Sequence, residues 1–172
     1  MAVKVKYKTK LDITKDMLKN ISNMNGKRVE VGCFNGDHAW LAGIHEYGCN
    51  IKVTPEMRAY LHSKGLHLKK STSVIKIPER SFLRSGHDEC IDEILNMTEK
   101  VISQVISGKM SSHKLIDWVG EQMATHIKEY AASLSTPPNH PYTVETKGSS
   151  NPLVGKHENE SGMIEGISWR TK

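Results

Sequence analysis

The sequence predicts an α+β protein: a small, mostly antiparallel sheet packed against a long antiparallel helix pair, with an extended C-terminal arm. Three observations predict it. Apolar residues recur at steps of three and four through two adjacent long segments, Ile91 to Val105 and Leu115 to Leu134, separated by the short Gly108-Lys109-Met110 link. Short alternating or β-branched stretches, "VKVKY", "RVEVG" and "SVIKIP", lie between turn residues. From Ser135 to Glu160 the chain carries four of its six prolines and few large apolar residues. The expected organisation is a core over 1–134, an arm over 135–160, and a strand returning to the sheet within 161–172.

Val3 to Tyr7 alternates with Lys4, Lys6, Lys8 and Lys10, the pattern of a strand with one wet, charged face. Such lysines protect a sheet edge; the alternative is contact with DNA or an acidic partner. Asp12 to Asn23 reads as a short helix with Asp12 as cap, since Ile13, Met17, Leu18 and Ile21 fall on one side. Asn25-Gly26 turns the chain into a strand carrying Val29 and Val31. "DHAWLAGIHEYG" reads as a helix capped by Asp37 and stopped at Gly48. Its apolar face is Trp40, Leu41, Ile44 and Tyr47, with Ile44 and Tyr47 packed inward and His45 and Glu46 outward.

Thr54-Pro55 has the order of a cap and a first-turn proline, and Gly65 ends that helix. Ser73 to Ile77 reads as a strand closed by Pro78. The first long helix starts at Ser85 or His87 and stops at Gly108; the second is capped by Ser111 or Ser112. Pro137-Pro138 cannot continue it. "MIEGISW" reads as the final strand.

The 172 residues fit one domain, and the net charge of +5 is mildly basic, short of a dedicated nucleic-acid binder. Three irregularly spaced cysteines suggest a reducing place of synthesis, and no stretch has the roughly 18 apolar residues of a membrane span. No apolar core follows the N-terminal lysines, so no secretory signal is expected.

His45-Glu46 has the look of an active site. Adjacent helical residues point about 100° apart, however, and a helical zinc site wants histidines at i and i+4. A quartet of Cys33, His38, His45 and Cys49 matches no standard finger spacing. Cys33 at a strand end and Cys90 inside an amphipathic helix suit buried, inert thiols. Asp88, Glu89, Asp92 and Glu93 suit the start and wet face of a helix. "IPERSFLR" stands apart, because Arg80 and Arg84 flank Phe82 and Leu83 directly before a long helix. Arginine beside aromatic residues is the composition of interaction hot spots, so Phe82 is assigned to the core and the arginines to a partner.

The order of segments "VEVG", "AGIHEYG", "MRAYLHSKG", "IPERSFLR", a helix pair, and "PPNHPYTVETKGSSNPLV" resembles the tail-completion and head–tail joining proteins of long-tailed bacteriophages, the phage virion morphogenesis type. The resemblance runs from about Val29 to the C-terminus and rests on order, not on any single motif. It departs where "GKHENE" separates Val154 from the final strand; Ser161-Gly162 stands as the displaced turn. The resemblance implies a non-enzymatic virion protein without cofactors or metal, made in the host cytoplasm and placed at the neck or upper tail. It implies a ring, commonly a homo-hexamer, that completes the tail or joins it to the head connector, or instead caps the tail tube as a terminator. Its partners would be neck, connector and tail-tube proteins, with genome DNA in the lumen and no membrane. The expected contact residues are His45, Glu46, Arg80, Arg84, Asn151, Pro152, Leu153 and Val154. A basic DNA-binding accessory protein using Lys4, Lys6, Lys8 and Lys10 is the alternative from another class.

Overall fold

Two helices of 25 and 22 residues dominate the computed structural model, which describes residues 10–154 and 162–172. In chain order the elements are α1 (Lys10–Met24), β1 (Val29–Cys33), α2 (Gly36–Tyr47), β2 (Cys49–Lys52), α3 (Pro55–Ser63), β3 (Val74–Ile77), α4 (Phe82–Ile106), α5 (Ser112–Ser133), α6 (Pro141–Lys147) and β4 (Ile167–Thr171). The molecule is α+β. The expected strand at Val3 to Tyr7, with Lys4, Lys6 and Lys8, lies outside the described residues; the backbone of Lys10 already belongs to α1.

The α4–α5 hairpin follows from its apolar stripe and from its turn. At the end of α4 the amide of Gly108 donates to Val105 O and that of Lys109 to Gln104 O, while Gly108 takes φ 75°. This is the left-handed stop that satisfies the last carbonyls of a helix, and glycine adopts it without a Cβ clash. Ser111 Oγ then accepts from the Lys114 amide and starts α5. Asn20 Nδ2 donates to Val105 O and anchors α1 at this tip. Between the helices and the strands lies the core of Phe82, Cys90, Ile94, Met123, Ile127, Ala131, Met163 and Ile167.

The strands form two separate antiparallel ribbons, not one sheet. β1 pairs with β4, Val31 opposite Trp169, and β2 pairs with β3, Ile51 opposite Ile75. The β1–β4 ribbon turns one face to α5. Its outer face is closed by Glu30, which bonds Arg170 at 2.9 Å and Lys172 at 2.7 Å. The Trp169 ring lies flat on α5 at Gly120, where a Cβ would sit 2.5 Å from a ring carbon.

Several boundaries differ from expectation. Asp12 falls inside the first turn of α1, and Asn35, not Asp37, precedes α2. β2 has no counterpart among the expected strands; "CNIK" is too short and too polar to show a strand period. α4 begins at Phe82, earlier than Ser85 or His87, because its first turn is capped from another element. The arm is not simply extended. It contains α6, capped by His140 with Pro141 in the first turn, and Leu153 is buried in the chain's own core. Trp40 and Tyr47 point outward, 71% and 68% exposed, opposite to the expected inward packing of this face.

Gly120→Ala should lower stability by about 1–3 kcal/mol, the usual cost of forcing extra volume into a packed site. The urea unfolding midpoint reads this directly; an unchanged midpoint would mean that Trp169 does not seat on α5.

Candidate functional site

The residues singled out by sequence meet where the end of α2, the start of α4 and the entrance to the arm converge. α2 stops at Gly48, φ 67°, where a Cβ would come within 2.8 Å of Ile77 O and Glu79 N. That close approach lays the last turn of α2 against the β3–α4 link. Glu46, 2% exposed, is thereby turned inward onto the N-terminus of α4.

Its carboxylate is fully engaged. Oε2 accepts from the Leu83 amide at 2.9 Å; Oε1 accepts from the Arg84 amide at 3.1 Å and from Arg84 Nε at 2.9 Å. First-turn amides have no acceptor within their own helix, and the helix dipole places partial positive charge there. Ser81 at the N-cap makes no capping bond with its side chain. Glu46 therefore caps α4 from a distance of 37 residues in sequence. Arg84 also donates to the Glu46 carbonyl and, at 2.7 Å, to Glu79 Oε1. Its guanidinium lies 4.9 Å over the ring of Tyr47.

Arg80 does a parallel job for the arm. It is 5% exposed; Nε donates to Pro137 O, and Nη2 to Pro138 O and Asn139 Oδ1, at 2.8–3.2 Å. Its backbone amide donates to His45 O at 2.7 Å, which ties the same residue to α2. Lys147, at the end of α6, donates to the carbonyls of Asn151 and Pro152. Asn151 Oδ1 accepts from the Leu153 and Val154 amides, and its Nδ2 donates to Ala132 O, which returns the arm to α5. These contacts use neutral carbonyls and amides, so burial lowers the pKa of both Arg80 and Lys147. His45 lies beside them. Burial, then the charges of Arg80 and Lys147, hold its imidazole down at about 4.

The expected exposure of this cluster needs correction. Glu46 and Arg80 are internal, occupied by their own chain, because a carboxylate at a helix start and a guanidinium among carbonyls recover in hydrogen bonds what burial takes from hydration. Pro152 and Leu153 are buried, while His45, Asn151 and Val154 are partly covered. Arg84 keeps about half of its side chain in solvent. Lys147 and Asn139, which complete the arm clamp, carry no signal in the sequence; each lies in a polar run with no period to mark an inward residue. Glu46, which its sequence context directs outward, is turned inward by its tertiary partners.

Among the described residues no three His, Cys, Asp or Glu side chains gather to hold a metal ion, so Cys33, His38, His45 and Cys49 form no quartet. Burial pushes the thiols of Cys33 and Cys90 up, away from the reactive thiolate. Asp88, Glu89, Asp92 and Glu93 are all exposed on α4.

Two outcomes are expected. Glu46→Ala removes the cap of α4, at a cost of about 1–2 kcal/mol, and leaves the half-exposed Arg84 to water. Arg84→Ala leaves the Glu46 carboxylate, 2% exposed, without its counter-charge, so it too should clearly lower the urea midpoint; an unchanged midpoint would refute the pairing. Between pH 6.5 and about 4 the unfolded chain carries a proton on His45 that the folded chain does not. His45 thus adds a loss of stability as pH falls through that window, at most about 1.4 kcal/mol per pH unit. Urea midpoints of the wild type should fall more steeply there than those of His45→Asn; parallel curves would contradict the burial of a neutral imidazole.

No family model, no curated protein and no solved structure matches this chain.

Proposed function

We propose that this is a structural virion protein of a long-tailed bacteriophage, forming a homo-oligomeric ring, hexameric by its resemblance, at the junction of head and tail. The ring completes the tail or joins it to the head connector. The observation that carries the assembly reading is the inversion of α2. This helix buries Ala42 and Glu46 and turns Trp40 and Tyr47 to solvent, with Leu41 37% exposed beside them. Large aromatic side chains held in fixed positions beside a half-exposed arginine have the composition of a protein–protein hot spot.

The clustered polar residues support the same reading through position. Glu46 and Arg80 fix α2, the start of α4 and the arm as one unit, so Trp40, Tyr47 and the head of Arg84 are presented on a rigid base. Preorganised contact groups cost less to immobilise on association. Among the predicted contact residues, Arg84 and Tyr47's neighbour His45 border this surface; Glu46, Arg80 and the Asn151–Leu153 turn shape it from within.

Purified protein should show a discrete oligomer by light scattering, with a mass near a small whole number of protomers. Trp40→Ser should weaken assembly by roughly 30-fold or more in protomer concentration, the effect of losing a hot spot of about 2 kcal/mol, with thermal unfolding of the protomer unchanged. Virions made without the protein should appear by negative stain as separate filled heads and tails. Abnormally long tails would point to a terminator instead. Normal virions, together with a monomer at every concentration, would overturn the proposal.

A further inference from the structure

We infer that residues 49–77, which carry β2, α3 and β3, are a docking finger whose basic ribbon face seats on the acidic face of α4 in a second copy of this chain. The proposed ring, on which this reading rests, would be built by that contact. Charge sets the segment apart. It holds six of the chain's 24 basic residues and one of its 19 acidic ones. Outside it and the four lysines before residue 11, 14 basic and 18 acidic residues remain, so the body of the protein is acidic.

The finger is exposed yet held in shape. α3 buries none of its residues, and Tyr60 and Val74 are 62% and 47% exposed. Arg58 fixes the loop that returns to β3: Nη1 donates to Leu68 O and Lys69 O, and Nη2 to Thr72 O, at 2.6–3.2 Å. The Tyr142 hydroxyl donates to Lys64 O at 2.9 Å and ties the end of α3 to α6. In the ribbon Ile51 and Ile75 are opposite one another and half-buried, while Asn50, Lys52, Val74 and Lys76 are exposed on the other face. With Asn50 opposite Lys76 and Lys52 opposite Val74, the two lysines are diagonal neighbours, about 7–8 Å apart at the backbone.

α4 offers the complement. Asp88, Glu89, Asp92 and Glu93 are exposed along it, and Glu89 and Glu93 edge, with Glu129 of α5, a cleft of about 310 Å³. Carboxylates one turn apart on a helix are about 6 Å apart along its axis, a step that the lysine pair matches. Asp88 lies one turn beyond Arg84, so the acidic face continues the surface of Tyr47 and Arg84. Both faces are exposed on one chain and therefore meet only between copies. The acidic body repels a polyanion such as DNA and attracts the finger of another copy. Because the two faces differ, the contact is head to tail, the type that closes into rings.

The test is light scattering of the full chain at low salt. Wild type is set beside Lys52→Glu/Lys76→Glu, Glu89→Lys/Glu93→Lys and the chain carrying all four changes. Each pair of reversals should raise the protomer concentration needed for assembly roughly tenfold or more, since like charges brought face to face oppose docking, with thermal unfolding of the protomer unchanged. All four changes together should restore assembly. An oligomer that neither pair disturbs would overturn the inference and leave the ring reading standing; a wild type that stays monomeric at every concentration would overturn both. Disruption by each pair without rescue by all four would show that the faces are not partners, which also refutes docking. Binding of a short DNA duplex that is lost in Lys52→Glu/Lys76→Glu, with assembly intact, would assign the finger to nucleic acid and refute it as well.

Discussion

The fold turns on one carboxylate. Glu46 sits at the end of a short helix, yet its two oxygens hold the first amides of α4 and the guanidinium of Arg84. A charged group that is 2% exposed is costly unless every lone pair is used and an opposite charge lies close. Here the helix start supplies both the amide donors and the positive end of the dipole. The first turn of α4 could not be closed by Ser81, whose hydroxyl bonds Ser85 instead. The long helix and the short one are therefore complementary: each leaves an unmet polar demand that the other satisfies.

From this constraint the outer surface of α2 follows. Residues four apart on a helix lie about 40° from one another and residues seven apart about 20°. Turning Glu46 inward takes Ala42 with it; Trp40 and Tyr47, seven apart, stay together on the outside. Arg84 then completes a layer, with its charge on Glu46 and its flat face on Tyr47. Arg80 extends the same unit to the arm through the carbonyls of Pro137 and Pro138. Buried polar bonding thus sets the position of apolar groups that face solvent, the reverse of the usual division between core and surface.

How much of this was legible depended on period and punctuation. The α4–α5 pair was readable because seven apolar residues at helical steps in each segment cannot all be satisfied in a loop. Gly108, Ser111, Thr54 and Pro55 marked ends by chemistry that works locally. β2 was hidden because four residues, two of them polar, show no decisive alternation. The arm reads as extended because prolines stop α5; nothing local reveals that Arg80, 57 residues away, holds Pro137. Hydrophobicity alone directs Tyr47 of α2 inward, whereas the tertiary capping interaction of Glu46 outweighs it. Such partners are distant in sequence, and no local pattern encodes them.

Hydrogen exchange at the Leu83 and Arg84 amides tests the central claim most directly. Amides in the first turn of a helix usually exchange readily, since no carbonyl of their own helix protects them. If Glu46 caps α4 as described, both should exchange as slowly as amides in the middle of α4, such as that of Ile94. Exchange at the rate of an unprotected first-turn amide would contradict the account.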